Sequence, residues 1–151
     1  MKAVVQRVRR AEVRIGGRQH AAIGPGILVY LGVHEEDSES DAEYLADKCS
    51  GLRIFEDGGG KMNLSVGNIA GSVLVVSQFT LYGDARKGNR PNFMSAAKPE
   101  KAETLYGSFV RRLASSLGPE KVKTGVFREM MDIESVNDGP VTIIIESRSH
   151  D

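Results

Sequence analysis

The sequence predicts a mixed α/β fold, an α+β arrangement of curved β-sheets with two main helices packed outside, and three observations carry that expectation. Strand-like stretches outnumber helical ones, the two helical stretches are separated by strands, and each helical stretch is apolar along one face only. Val4 to Ile15 alternates loosely and is rich in Val and Arg. Gly16-Gly17 follows, two residues that tolerate positive φ, which is a hairpin signal. The return run ends in Ile27-Leu28-Val29-Tyr30-Leu31-Gly32-Val33, apolar on both faces and therefore a buried strand.

A helix is expected next. Ser40 with Glu43 fits a capping box, and the acids around them suit the positive end of a helix dipole. Ala42, Leu45, Ala46 and Cys49 recur at i, i+3, i+4 and i+7, one apolar face, and Gly51 closes the helix. That spacing assigns Cys49 to the core rather than to nucleophilic chemistry. Leu52-Arg53-Ile54-Phe55 reads as a short strand and Asp57 to Lys61 as a turn. The glycine run before Lys61 is not a phosphate loop, because Met62 stands where Ser or Thr is required. Gly71 to Phe79 is the most strand-like stretch, and a polar loop, Tyr82 to Asn92, follows it. Pro99 suits the first turn of a second helix. Ala102, Leu105, Tyr106, Phe109, Leu113 and Leu117 keep helical spacing as far as the stop at Gly118-Pro119. Two further strands, Met130 to Val136 and Val141 to Glu146, are expected to be joined by a turn at Asn137-Asp138-Gly139-Pro140.

Composition narrows the class. The 151 residues show no repeat, linker or low-complexity tract, so residues 1–151 read as one domain. The chain is 40% hydrophobic and 26% charged, ordinary for a globular protein. No apolar run is long enough to span a bilayer, and charge interrupts the N-terminus before a signal-peptide core can form, so no membrane association and no secretion are expected. A single cysteine allows no internal disulfide and fits a reducing cytoplasm. Net charge is zero, but Lys2, Arg7, Arg9, Arg10, Arg14 and Arg18 meet only Glu12 in the first eighteen residues. Arg86, Lys87 and Arg90 form a second basic cluster. Such patches can hold phosphates locally, or be plain solvated faces.

Familiar catalytic arrangements are not evident. His20, His34 and His150 are the only histidines, none at metal-ligand spacing, and there is no G-x-S-x-G elbow. His34, after a buried strand and before a run of acids, reads as a loop residue or salt-bridge partner. Two segments remain. Ser77-Gln78-Phe79-Thr80 lies where a buried strand emerges into a polar loop, so a rigid element would fix groups that solvent can reach. Its hydroxyls and backbone N–H groups suit a developing oxyanion, though a strand end alone explains the residues equally. Asn137-Asp138-Gly139-Pro140 suits a tight turn, and function there stays open.

Those segments resemble known ones. Val75-Val76-Ser77-Gln78-Phe79-Thr80-Leu81 and Asn137-Asp138-Gly139-Pro140-Val141-Thr142 are similar to the two signatures of D-aminoacyl-tRNA deacylases. Ala3-Val4-Val5-Gln6-Arg7-Val8, Arg53-Ile54-Phe55, Gly60-Lys61-Met62-Asn63-Leu64 and Gly88-Asn89-Arg90-Pro91-Asn92-Phe93 match in the same order, with Asn92 where Ser is more usual. The resemblance implies a homodimer whose β-sheets form a pseudo-barrel flanked by helices. It implies that the backbone at Ser77, Gln78, Phe79 and Thr80 binds the aminoacyl-adenosine end of aminoacyl-tRNA, at the dimer interface. Gly139 and Pro140, joined by a cis bond, would enter the other subunit's site and crowd the α-carbon, rejecting an L side chain. Arg7 would support that motif by hydrogen bonding. Thr80 has no adjacent base and would position rather than attack. The tRNA's own 2′-OH would assist water. Glycyl-tRNA, mischarged on tRNA(Ala), would pass as D-aminoacyl-tRNA does. No metal or organic cofactor is implied. Two other readings stay in view: a paralogous deacylase that clears an L-aminoacyl mischarge, and a non-catalytic nucleic-acid-binding module using the arginine-rich strands.

Overall fold

The computed structural model describes residues 1–148, and His150 with the Ser149–Asp151 tail lies outside the described residues. Strand β1 (Lys2–Ile15) is the spine of the sheet, hydrogen-bonded along both edges. Gly16 and Gly17 take φ of 57° and 77°, the doubly left-handed geometry that a two-residue hairpin requires. The chain returns as β2 (Arg18–Ile23) and β3 (Gly26–Gly32), both antiparallel to β1. The expected single return run is therefore interrupted at Gly24-Pro25, where proline has no N–H for the ladder.

Helix α1 (Glu39–Gly51) follows. Its N-cap is Ser38, not Ser40: Ser38 N–H donates to the Asp41 carboxylate at 2.8 Å. The same Ser-x-x-acid spacing occurs twice, two residues apart, and the earlier register wins. Asp41 is also tied to Arg148, which helps fix it. The apolar face is as expected, with Ala42, Leu45, Ala46 and Cys49 all buried. Strands β4 (Phe55–Glu56) and β5 (Met62–Leu64) form a small hairpin, so the strand expected at Leu52–Phe55 begins only at its last residue.

Strand β6 (Ser72–Ser77) lies parallel to β3 and ends before Phe79; Phe79–Tyr82 forms a 3-10 turn instead. Helix α2 runs from Pro99 to Leu117. It delivers β7 (Val122–Thr124) parallel to β6. Parallel neighbours need crossovers, and the two helices supply them.

The last element overturns an expectation. The two strands predicted at Met130–Val136 and Val141–Glu146 are one strand, β8 (Asp132–Glu146), antiparallel to β1 throughout. Asn137–Pro140 does not reverse the chain. Pairing runs from Arg14↔Asp132 to Val8↔Asn137, then resumes at Gln6↔Thr142. The intervening residues leave the ladder as a wide bulge, and direction is preserved.

The sheet curls until β2 also lies against β6 and β7, giving a nearly closed, barrel-like form. One buried cluster comprises Val8, Ala11, Val13, Leu28, Leu74 and Val76. The other joins Val5, Val29 and Val75 to Leu45, Phe109 and Leu113, beneath the helices. Burial of this kind, at about 25 cal/mol per Å² of apolar surface, is the main favourable contribution to the fold.

Candidate active site

The end of β6 is held firmly. Val73 to Val76 are buried, the Tyr106 hydroxyl donates to the Val75 carbonyl at 2.9 Å, and Gln78 N–H donates to the Leu31 carbonyl at 2.8 Å. The chain then tightens into the 3-10 turn, with Leu81 N–H on the Gln78 carbonyl and Gly83 N–H on the Thr80 carbonyl. A helix leaves its leading N–H groups without internal partners, and here those belong to Phe79 and Thr80. Ser77 and Gln78 are half-buried; Phe79 and Thr80 are exposed. Phe79 packs edge-on against Phe93, with ring centres 5.2 Å apart. The Thr80 hydroxyl accepts a hydrogen bond from the Gln78 side-chain amide. An amide cannot take a hydroxyl proton, so Gln78 is not a base for Thr80.

The bulge in β8 is built from the inside. The Asn137 side chain accepts from Val141 N–H at 3.0 Å, replacing the ladder bond that the excursion removes. The Gly139–Pro140 bond is cis and Gly139 has φ 122°. Arg7 is buried and reaches the bulge from β1. Its Nε donates to the Asp138 carbonyl at 3.2 Å and its Nη1 to the Ile54 carbonyl at 2.7 Å. Arg9 adds an ion pair to Asp138 at 3.2 Å. A Cβ on Gly139 would stand 3.1 Å from Arg7 Nη2 and 3.0 Å from a Val141 methyl, so a side chain would have to push both aside by a few tenths of an ångström at a backbone φ that L residues rarely adopt.

The two segments are not together within one chain. Arg7 pairs with Ile27, which pairs with Val73, so the bulge stands level with the start of β6 and Ser77 with its end. Strand geometry makes the separation about 13 Å along the strands and about 14 Å across three strand spacings. Both exposed peptide segments therefore lie at opposite corners of one sheet.

Other residues resolve simply. Cys49 is buried and desolvation pushes its thiol pKa up to about 12, so it is inert. His34 is buried rather than in an open loop: its Nδ1 accepts from Glu36 N–H at 3.1 Å and its ring meets Tyr82 edge-on. No group of three or more His, Cys, Asp or Glu side chains is placed to hold a metal among the described residues. Sequence reasoning missed two participants. Phe93 buttresses Phe79, and the Gly88–Phe93 motif was the available signal. The Ile54 carbonyl anchors Arg7, and a backbone acceptor carries no signal in sequence. No described helix is long and apolar enough to cross a membrane.

Comparison with known proteins shows the family and the fold. Residues 4–146 match the family model described as D-Tyr-tRNA(Tyr) deacylase. A D-aminoacyl-tRNA deacylase of Koribacter versatilis (strain Ellin345) is 58% identical over 149 residues, covering 98% of each chain. A solved structure described as c-Myc DNA Unwinding Element Binding Protein superposes with TM-score 0.94 at 47% identity, covering 99% of this chain and 100% of that one. Another, described as a probable eukaryotic D-amino acid tRNA deacylase, has TM-score 0.82 at 15% identity over 96% of this chain and 98% of that one; it shows a shared fold.

Proposed function

The chain belongs to the D-Tyr-tRNA(Tyr) deacylase family, and we infer from that membership that it hydrolyses the ester joining a D-amino acid to the terminal ribose of tRNA. The products are the free D-amino acid and tRNA. Water attack makes the ester carbonyl tetrahedral and gathers charge on its oxygen. The backbone at Ser77–Thr80 receives the aminoacyl-adenosine end, and the leading N–H groups of Phe79 and Thr80 are the donors suited to that charge. Thr80, bonded to an amide, positions the segment. The vicinal 2′-OH of the tRNA assists the water. We assign the enzyme to the cytoplasm, a compartment that suits a tRNA substrate and a single free cysteine.

The observation that carries the chiral part of this reading is the distance between the two segments. Neither has the other within one chain, yet a two-fold axis can set the Gly139–Pro140 bulge of one copy against the Ser77–Thr80 segment of the other. We therefore propose a homodimer with two shared sites. Phe79, Phe93, Met94 and Ile144 are exposed apolar side chains that suit such an association. Carbonyl oxygens of a rigid bulge would then crowd the substrate α-carbon. Hydrogen fits that space and a side chain does not, so D-aminoacyl and glycyl esters pass, glycine on tRNA(Ala) included, and L-aminoacyl esters are refused. A non-catalytic nucleic-acid module is not favoured. Arg9, Arg10 and Arg14 of the arginine-rich strand are ion-paired to Asp138, Glu134 and Glu12.

The test is release of tyrosine from D-Tyr-tRNA and L-Tyr-tRNA side by side. Release from the D ester alone is expected. Equal release from both would remove the steric gate, and release from neither would remove the deacylase.

A further inference from the structure

One basic cluster has no role in the chemistry above. The chain leaves the 3-10 turn, crosses Gly83 and makes a loop that returns at Phe93. Its stem is closed by two backbone hydrogen bonds, Asp84 N–H to the Asn92 carbonyl at 2.7 Å and Asn92 N–H to the Asp84 carbonyl at 2.9 Å. The tip, residues 85–91, is wholly exposed and carries Arg86, Lys87 and Arg90 with no acid among them. Asp84 at the stem accepts from Arg86 Nε and Nη2 at 2.9 and 2.7 Å, so that charge is answered. Lys87 and Arg90 have no ion-pair partner among the described residues. The arginine-rich strand differs, since Arg7 and Arg9 share Asp138, Arg10 meets Glu134 and Arg14 meets Glu12.

Position gives the charge a use. The loop is tethered to the Ser77–Thr80 segment at both ends: at one by covalent continuity through Leu81 and Tyr82, at the other by Phe93 stacked on Phe79. A cleft of about 580 Å³ lies beside the turn and the base of the loop, lined in part by Tyr82, Asp84, Arg86 and Asn92 and, from the ends of β1 and β8, by Lys2 and Glu146. A nucleic acid whose 3′-terminal ester sits at Ser77–Thr80 must lead its preceding nucleotides away over neighbouring surface. Each carries a phosphate, and a tethered pair of exposed cations, neither held in an ion pair although Asp84 lies within electrostatic reach of Lys87, is a suitable contact for them.

We propose that the residue 85–91 loop is a phosphate-gripping arm for the single-stranded 3′ end of the tRNA, with Lys87 and Arg90 making the contacts. This rests on the deacylase reading. It assigns the two residues to binding of the polynucleotide, not to ester cleavage.

The test compares the double variant Lys87→Glu/Arg90→Glu with the native protein on two substrates, D-Tyr-tRNA and 3′-O-(D-tyrosyl)adenosine, which has the ester but no phosphate. The ratio of kcat/KM on tRNA to kcat/KM on the adenosine ester is expected to fall about tenfold at low salt, and the slope of log kcat/KM against log salt for tRNA to shrink by about 1.4, two single-strand contacts at roughly 0.7 each. An unchanged ratio overturns the proposal, whether both substrates are kept or lost together. A change of oligomeric state in sedimentation also overturns it, because the loop would then be a subunit contact. If the native protein cleaves neither substrate, the deacylase reading fails separately. Filter binding of uncharged tRNA then decides the arm: weaker binding by the variant supports it, and equal binding rejects it.

Discussion

The two signature segments interrupt the same sheet in opposite ways. At Ser77–Thr80 a parallel strand stops, and a 3-10 turn exposes the peptide groups that follow. At Asn137–Pro140 an antiparallel strand goes on, and the peptide groups are pushed out sideways as a bulge. The first is anchored where β6 ends, by Gln78 N–H on the Leu31 carbonyl, and beyond that by the bonds of the 3-10 turn and by Phe93; Ser77 and Gln78 are half-buried, Phe79 and Thr80 exposed. The second is gripped from within by Arg7, Asn137 and Val141, and a side chain at Gly139 would meet tight contacts at an unfavourable φ. A surface that must accept a reacting ester benefits from free donors. A surface that must refuse one shape benefits from rigidity, since a wall that yields by an ångström discriminates nothing.

That contrast can be broken most directly at Gly139. Gly139→Ala puts a methyl in contact with Arg7 and Val141 at a φ unsuited to L residues. Deacylation of D-Tyr-tRNA should fall about 100-fold or more, the scale of an ångström-sized misplacement, while circular dichroism stays native. A sharper version mixes Gly139→Ala subunits with Ser77→Trp subunits. If the segments cooperate across two copies, activity returns to about a quarter of the native level, the statistical share of intact sites in a two-fold dimer. No recovery would put both segments in one subunit's service.

Arg7→Ala is expected to act next most strongly. It leaves the buried Ile54 carbonyl unpaired and releases Asp138. Thermal unfolding should show a loss of about 2–4 kcal/mol, within the range for charged hydrogen bonds and the unsatisfied group left behind. Discrimination between D and L esters should loosen together with stability. Unaltered chiral discrimination in a folded Arg7→Ala protein would detach Arg7 from the gate. Thr80→Ala should matter least. A positioning hydroxyl bonded only to Gln78 warrants a fall in kcat of about threefold, against the several orders of magnitude that loss of a true nucleophile produces. Complete loss with normal tRNA binding would reverse the role assigned to Thr80.

Much of this was legible in the residues. Gly16-Gly17, the Val-rich runs and the Pro99-to-Gly118 helix follow from local rules of φ tolerance, side-chain period and proline placement. The core assignment of Cys49 and the end of a buried strand near Ser77 follow in the same way. Errors fell where two local signals competed. Ser38 and Ser40 both head an acceptable capping box, and Asp41's bonds to Ser38 and Arg148 favour the first. Asn137-Asp138-Gly139-Pro140 contains every residue type of a turn, and only the continuous register with β1 makes it a bulge.

What the sequence determined by itself was the kind of backbone each segment prefers, because those preferences are set by a few bonds on either side. What the tertiary structure decided was which segments face which. Arg7 lies 131 residues from the carbonyl of Asp138 that it holds, and Arg9 and Arg10 of the arginine-rich strand meet acids because β8 lays Asp138 and Glu134 beside them. In the loop at residues 85–91 Arg86 is answered by Asp84, and Lys87 and Arg90 have no ion pair among the described residues. Pairing between β1 and β8 depends on the register of distant strands, and local preference carries no information about register.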